Sequence, residues 1–222
     1  MLHRTKQLVG DHIEATDGEI GQVDQLYFDD EHWGMRYLVV NTGNWLRGRK
    51  VLISPASIDR SRSTEAAIRV NLSRKQVEQS PDVDTEKPVS RQYEEIYAKY
   101  YGFPLYWAPA EAAAAPAAAR AAETDRKLQA AERKTTESHL RSSDEVIGYS
   151  IEAPDGVIGH VEDLLVDDET WSVAHLVVDT RDWLPGKEVR VSPGAVEDID
   201  WKRRHVRLRM RREEIERQPA AH

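Results

Sequence analysis

The sequence predicts a mainly β protein: two tandem small antiparallel β-barrels, each ending in a short helical turn, joined by a linker that is part helical and part flexible. Residues 8–81 and 146–219 can be laid over each other without a gap, and roughly 28 of about 74 positions are identical, the mark of an internal structural repeat. Within each copy, short β-prone runs are separated by Gly- and Asp-based turn signals. The stretch between the copies matches neither of them. The expected domains are therefore 1–81 and 146–222, with a connecting segment at 82–145.

Each repeat reads as a series of strands. Val9 to Thr16 runs into Asp17-Gly18, a dipeptide suited to a tight hairpin because glycine takes positive φ at no steric cost; the second copy has Pro154-Asp155-Gly156. In Ile20 to Phe28 the apolar alternation slips by one residue, and Gly21 sits at the slip, as Gly159 does in the other copy. A glycine at a phase break predicts a β-bulge or strand bend. Gly18, Gly21, Gly156 and Gly159 are thus expected to be structural turn and bulge positions. Asp29-Asp30-Glu31 closes a second hairpin, and Leu38-Val39-Val40 looks buried on both faces. Asn44-Trp45-Leu46-Arg47-Gly48 forms a corner before Lys50 to Ser54, a last strand spans Ala67 to Leu72, and Ser73-Arg74-Lys75-Gln76 resembles a capping box opening a helical turn that Pro81 ends.

In the connecting segment, Tyr93, Ile96, Tyr97, Tyr100 and Tyr101 follow the i, i+3, i+4, i+7, i+8 spacing of one helix face, and Gly102 to Trp107 continues the aromatic patch beyond it. Two readings stay open. The patch covers an exposed edge of the first barrel, or Tyr93, Tyr97, Tyr100 and Trp107 form a partner or dimer surface. Ala108 to Ala122, with Pro109 and Pro116, reads as a linker, and Glu123 to Leu140 as a charged helical spacer.

Composition narrows the function. A net charge of −8 argues against general nucleic-acid binding, and the absence of cysteine removes disulfides and thiolate metal sites. No apolar run approaches the roughly 20 residues of a membrane span, and the N-terminus lacks a signal core, so a cytoplasmic protein without an integral membrane segment is expected. No Gly-x-Ser-x-Gly elbow or phosphate-binding glycine loop is present. The acidic triplets Asp29-Asp30-Glu31 and Asp167-Asp168-Glu169 lack the spacing of a calcium loop and read as turns. None of the 8 histidines recurs at its partner position, so each reads as isolated. No catalytic residue, cofactor or metal is expected. The one charge anomaly is Lys202 to Arg212, where Arg207, Arg209 and Arg211 alternate with apolar residues and would form a basic stripe on one strand face. Such a stripe suits RNA, anionic lipid or an acidic protein, or pairs with acids of its own repeat.

The order Gly-x-x-Ile-x-x-x-Asp-Gly-x-Ile-Gly-x-Val, an acidic hairpin, Trp, Leu-Val-Val, Trp-Leu-x-Gly and Val-x-x-Ser-Pro resembles the PRC-barrel family, named for the photosynthetic reaction centre H subunit. The resemblance covers both repeats. It implies a docking module, because such barrels also form the C-terminal domain of the bacterial ribosome-maturation factors that bind a ribosomal protein. Neither the N-terminal membrane span of the first relative nor the separate N-terminal barrel of the second is expected from this sequence. The expected function is a non-enzymatic docking or scaffold protein that binds a protein partner or self-associates, as in a homodimer. The alternatives are an RNA- or ribosome-associated factor acting through the basic stripe, and a peripheral component of a membrane or photosynthetic assembly. The duplication also leads us to expect a pseudo-two-fold arrangement that replaces a homodimer.

Overall fold

A computed structural model describes residues 1–64, 67–81, 91–103, 140–180 and 187–221. Its elements, in chain order, are β1 (Leu2–Arg4), α1 (Thr5–Leu8), β2 (His12–Ala15), β3 (Gly18–Asp29), β4 (Met35–Asn41), β5 (Lys50–Ile53), β6 (Ala67–Arg69), α2 (Arg74–Glu78), α3 (Arg91–Tyr101), β7 (Leu140–Ser142), α4 (Ser143–Val146), β8 (Ser150–Ala153), β9 (Gly156–Asp167), β10 (Ser172–Asp179), β11 (Glu188–Val191), β12 (Val196–Asp200), β13 (His205–Leu208) and α5 (Arg212–Glu216). The protein is mainly β, with two sheets. The chain divides into two compact units. The first comprises Met1–Gly10, Gln25–Arg36 and Arg141–His222, and the second Asp11–Asp24 and Tyr37–Leu140. This differs from the sequence ranges 1–81, 82–145 and 146–222 by grouping two early segments with the second repeat.

In the first unit the sheet runs β11-β10-β9-β8-β13-β12, with β1 added to β9. The sequence predicts closed antiparallel barrels, and two features depart from that. The sheet is an open path from β11 to β12, and the outer edge of β11 is occupied by the C-terminal tail. There Arg190 N–H donates to Pro219 O at 3.0 Å, and Ala221 N–H to Glu188 O at 3.1 Å. Covering an edge this way satisfies backbone groups that an exposed strand would leave open. Second, β13 pairs with β8 in parallel, as β6 does with β2 in the second unit. The long excursion between these partners supplies the crossover that a parallel pair requires. The second sheet is open too, in the order β5-β4-β3-β2-β6 with β7 on β3.

The β1 and β7 placements were not visible in the repeat. Residues 1–8 and 139–146 stand at the same offset as the rest of the duplication, yet of the two stretches only Leu2 and Leu140 match. Structurally they are equivalents: a short strand followed by one helical turn. Each lies on the long strand of the other repeat, β1 on β9 and β7 on β3. Within the first unit, β1 sets Leu2, His3 and Arg4 opposite Asp167, Val166 and Leu165. Thr5 Oγ1 then donates to the buried carboxylate of Asp163 at 2.6 Å, Lys6 Nζ to Glu162 at 2.6 Å, and Arg4 to Glu188 at 2.7 Å. Arg141 Nε similarly reaches Asp30 at 2.9 Å, and Ser142 Oγ reaches Gln25 at 2.7 Å.

The expected local signals hold. The capping box is present: Ser73 Oγ accepts from Gln76 N–H at 3.3 Å, and Gln76 Oε1 accepts from Ser73 N–H at 2.8 Å. The Tyr stripe forms α3, and Gly102 follows it at φ +76°. Ile13 and Ala15 point inward from β2 and Ile20 and Val23 from β3, and the pairing slips between Ile13 and Glu14 beside Gly21. The same slip recurs between Ile151 and Glu152 beside Gly159. Gly21 has φ +154° and Gly159 φ +145°; a Cβ would overlap the carbonyl oxygen of Asn41 in one case and of Asp179 in the other.

Each of Gly21→Ala and Gly159→Ala should therefore lower stability by about 2 kcal/mol or more, from positive φ and overpacking against backbone together. Thermal or urea unfolding checks this, and wild-type stability in either variant would contradict it.

Candidate functional site

The acidic hairpins act as turns, as their sequence predicts. Asp29 Oδ1 accepts from the N–H groups of Glu31 and His32 at 2.9 and 3.3 Å, and Asp167 Oδ1 from those of Glu169 and Thr170 at 2.7 and 3.2 Å. These bonds wind each loop so that its tryptophan adopts a left-handed backbone, φ 59° at Trp33 and 49° at Trp171. That conformation aims two carbonyls at each other's loops. Met35 N–H donates to Trp171 O and Val173 N–H to Trp33 O, both at 2.7 Å, around the bridge Gly34–Ser172. Every residue in this exchange belongs to the first unit, and the partners are repeat equivalents.

Asp29 is fully buried. Burial pushes its carboxyl pKa up, but the Arg36 guanidinium at 2.9 Å, the Glu31 N–H and His32 outweigh that and hold it below the usual carboxylate value.

The second unit carries a groove of roughly 570 Å³ beside the Gly21 bulge, lined by residues that include Glu19, Asp24, Thr42, Asn44, Trp45 and Arg74. Its acids are engaged: Glu19 with His12 Nδ1 at 2.6 Å, and Asp24 with Lys50 Nζ at 2.9 Å. The Arg74 guanidinium lies 4.3 Å from the centroid of the Trp45 ring, and its Nε is buried with no hydrogen-bond partner among the described residues. Trp45 and Arg74 both recur in the repeat, as Trp183 and Arg212, and that recurrence was the only sequence signal for them.

The residues picked out as a partner surface fall elsewhere. Tyr97 is buried, its hydroxyl donating to Leu52 O. Tyr100 is half-buried and donates to Gln76 O at 2.8 Å, and burial raises its phenol to about 12. Both pack on their own unit, in keeping with the covering role rather than a free surface. Trp107 and the side chain of Tyr93 lie outside the described residues. In the basic stripe, Arg207 and Arg209 are exposed, but Arg207 pairs with Asp198 at 2.5 Å and Arg209 donates to Gly194 O at 3.2 Å. Arg211 is also exposed and precedes α5 as its N-cap. Gly18 and Gly156 occupy the first turns at φ +143° and +127°.

Two groups among the described residues bring metal-ligating atoms together: Asp29, Glu31 and His32, and His160, Glu162 and Asp179. In the first, Asp29 Oδ2 is already held by Arg36 and by His32 at 3.1 Å. In the second, His160 and Asp179 face each other across the β9–β10 ladder. Glu162 sits where that ladder shifts register, the kind of bulge that re-aims a side chain.

Compared with known proteins, the chain matches no family model and no curated protein.

Because the folded Asp29 carboxyl lies below its unfolded value, it stabilises fully above about pH 4, and that contribution is lost as pH falls through the folded pKa. Asp29→Asn should cost about 1.5–3 kcal/mol at pH 6, the range for hydrogen bonds to a charged group. The gap to wild type should shrink at pH 3. Urea unfolding at both pH values checks this, and a gap independent of pH would contradict it.

Proposed function

We propose that this chain is a non-enzymatic docking protein of the cytoplasm, whose two repeats are PRC-barrel-like modules and which binds a protein partner through the groove of its second unit. The observation that carries the reading is the Trp45–Arg74 pair. Tryptophan and arginine are the side chains most enriched where binding energy concentrates. The groove's carboxylates are already matched with His12 and Lys50, whereas the Arg74 guanidinium stacks on Trp45 and its buried Nε has no hydrogen-bond partner among the described residues. A carboxylate on the partner would pair with the charge of the Arg74 guanidinium, and the Trp45 face offers apolar area beside it. The favoured partner is therefore an acidic protein segment. The RNA reading gains less support, because Arg207 is committed to Asp198.

The test is affinity purification from the native host with the full chain and with the Trp45→Ala/Arg74→Glu variant as baits. A bound protein should fall at least about tenfold with the variant, as expected for a binding hot spot, while the variant keeps wild-type thermal stability. Retention of the same species by the variant would overturn the groove, and loss on ribonuclease treatment alone would move the reading to RNA.

A further inference from the structure

The first unit holds a second constellation that the docking reading does not use. His160 Nε2 lies 3.6 Å from Glu162 Oε2 and 3.7 Å from Asp179 Oδ2, and the three ligand atoms lie within 4.8 Å of one another. These separations are too long for hydrogen bonds, which end near 3.2 Å for N–H···O. They suit a shared ion instead. With zinc bonds to imidazole nitrogen and carboxylate oxygen of about 2.0–2.2 Å, tetrahedral ligand atoms stand about 3.4 Å apart.

The first repeat serves as an internal control. The equivalents of His160, Glu162 and Asp179 are Gln22, Asp24 and Asn41, and there Asp24 pairs with Lys50. The fold is thus built without the cluster. The second repeat differs at these three positions, two on β9 and one on β10: His160 and Asp179 bring an imidazole and a further carboxylate where the first repeat has two amides, and Glu162 keeps the carboxylate that Asp24 supplies there. Burial changes with them: Asp179 is buried where Asn41 is exposed. Glu162 remains oriented, because Lys6 holds Oε1 at 2.6 Å and leaves Oε2 toward His160. Lys6 also balances one of the two negative charges, so a divalent cation would not face an uncompensated dianion. The 40% exposure of His160 leaves a path for the ion and a place for a fourth ligand such as water.

We propose that His160, Glu162 and Asp179 form a binding site for a divalent transition-metal ion of the zinc type, present in the second repeat and not in the first. Nitrogen and oxygen donors in a three-residue set with an open position match the ligand preferences of zinc.

The experiment is calorimetric titration of Zn²⁺ into the full chain, the His160→Gln variant and the Asp179→Asn variant, with Co²⁺ absorption as a second readout. Both substitutions install the residue that the first repeat carries, so both suit the fold, and circular dichroism verifies it. The expected result is one ion per chain with a Kd near or below about 10 μM, equivalent to a modest three-ligand affinity, weakened at least tenfold in each variant. Tetrahedral Co²⁺ bands should be lost in His160→Gln. No binding by the wild type, or wild-type affinity in either variant, would overturn the site. Neither outcome bears on Trp45 and Arg74, so the docking reading stands or falls separately.

Discussion

Within the first unit, the two backbone hydrogen bonds exchanged between the hairpins at Trp33 and Trp171 set the constraint from which its other features follow. A left-handed conformation at a bulky residue is disfavoured by about 1–2 kcal/mol, so it persists only where surrounding contacts fix it. Here each strained tryptophan offers its carbonyl to the opposite loop, and its own loop is wound by an aspartate that caps the turn. Phe28 stacks on Trp33 with ring centroids 5.4 Å apart, and Gly34 and Met35 are buried beside it. The pairing also explains why Asp29 is buried and charged. Its two oxygens bind both the turn amides and Arg36, so neutralising it would loosen the loop that presents Trp33.

The arms extend the same logic. β1 and α1 precede the first repeat in sequence but complete the edge of β9, where Thr5, Lys6 and Arg4 meet Asp163, Glu162 and Glu188. A segment spanning only the second repeat would lose this strand and leave the Asp163 carboxylate without its Thr5 donor.

Much of this was legible in the sequence and some was not, for identifiable reasons. Gly21 and Gly159 betrayed their bulges because a phase slip in alternation leaves a trace that glycine marks. The Ser73–Gln76 capping box and the tyrosine stripe of α3 were legible because both are local. The arms were missed because their pairing uses backbone bonds, which tolerate almost any side chain, and only Leu2 and Leu140 match across them. Parallel pairing of β2 with β6 and of β8 with β13 is a matter of chain path, which alternation does not encode. The positive φ at Trp33 and Trp171 escaped because tryptophan is no signature of that conformation. His160 looked isolated because its neighbours come from a bulge on its own strand and from the strand opposite. Pairing of the arginine stripe with acids of its own repeat was among the readings of the sequence, but the particular partner of Arg207, Asp198, comes from the register of the adjoining strand, which alternation does not encode.

The central claim is that the reciprocal Trp33–Trp171 exchange is a stable part of the folded chain. Amide hydrogen exchange followed by NMR tests it at the two donors. The account predicts that the Met35 and Val173 amides exchange slowly and with similar protection, comparable to the interior amides of β9 and β10. Exchange of both amides at the rate of exposed loop positions, with β9 and β10 still protected, would contradict it.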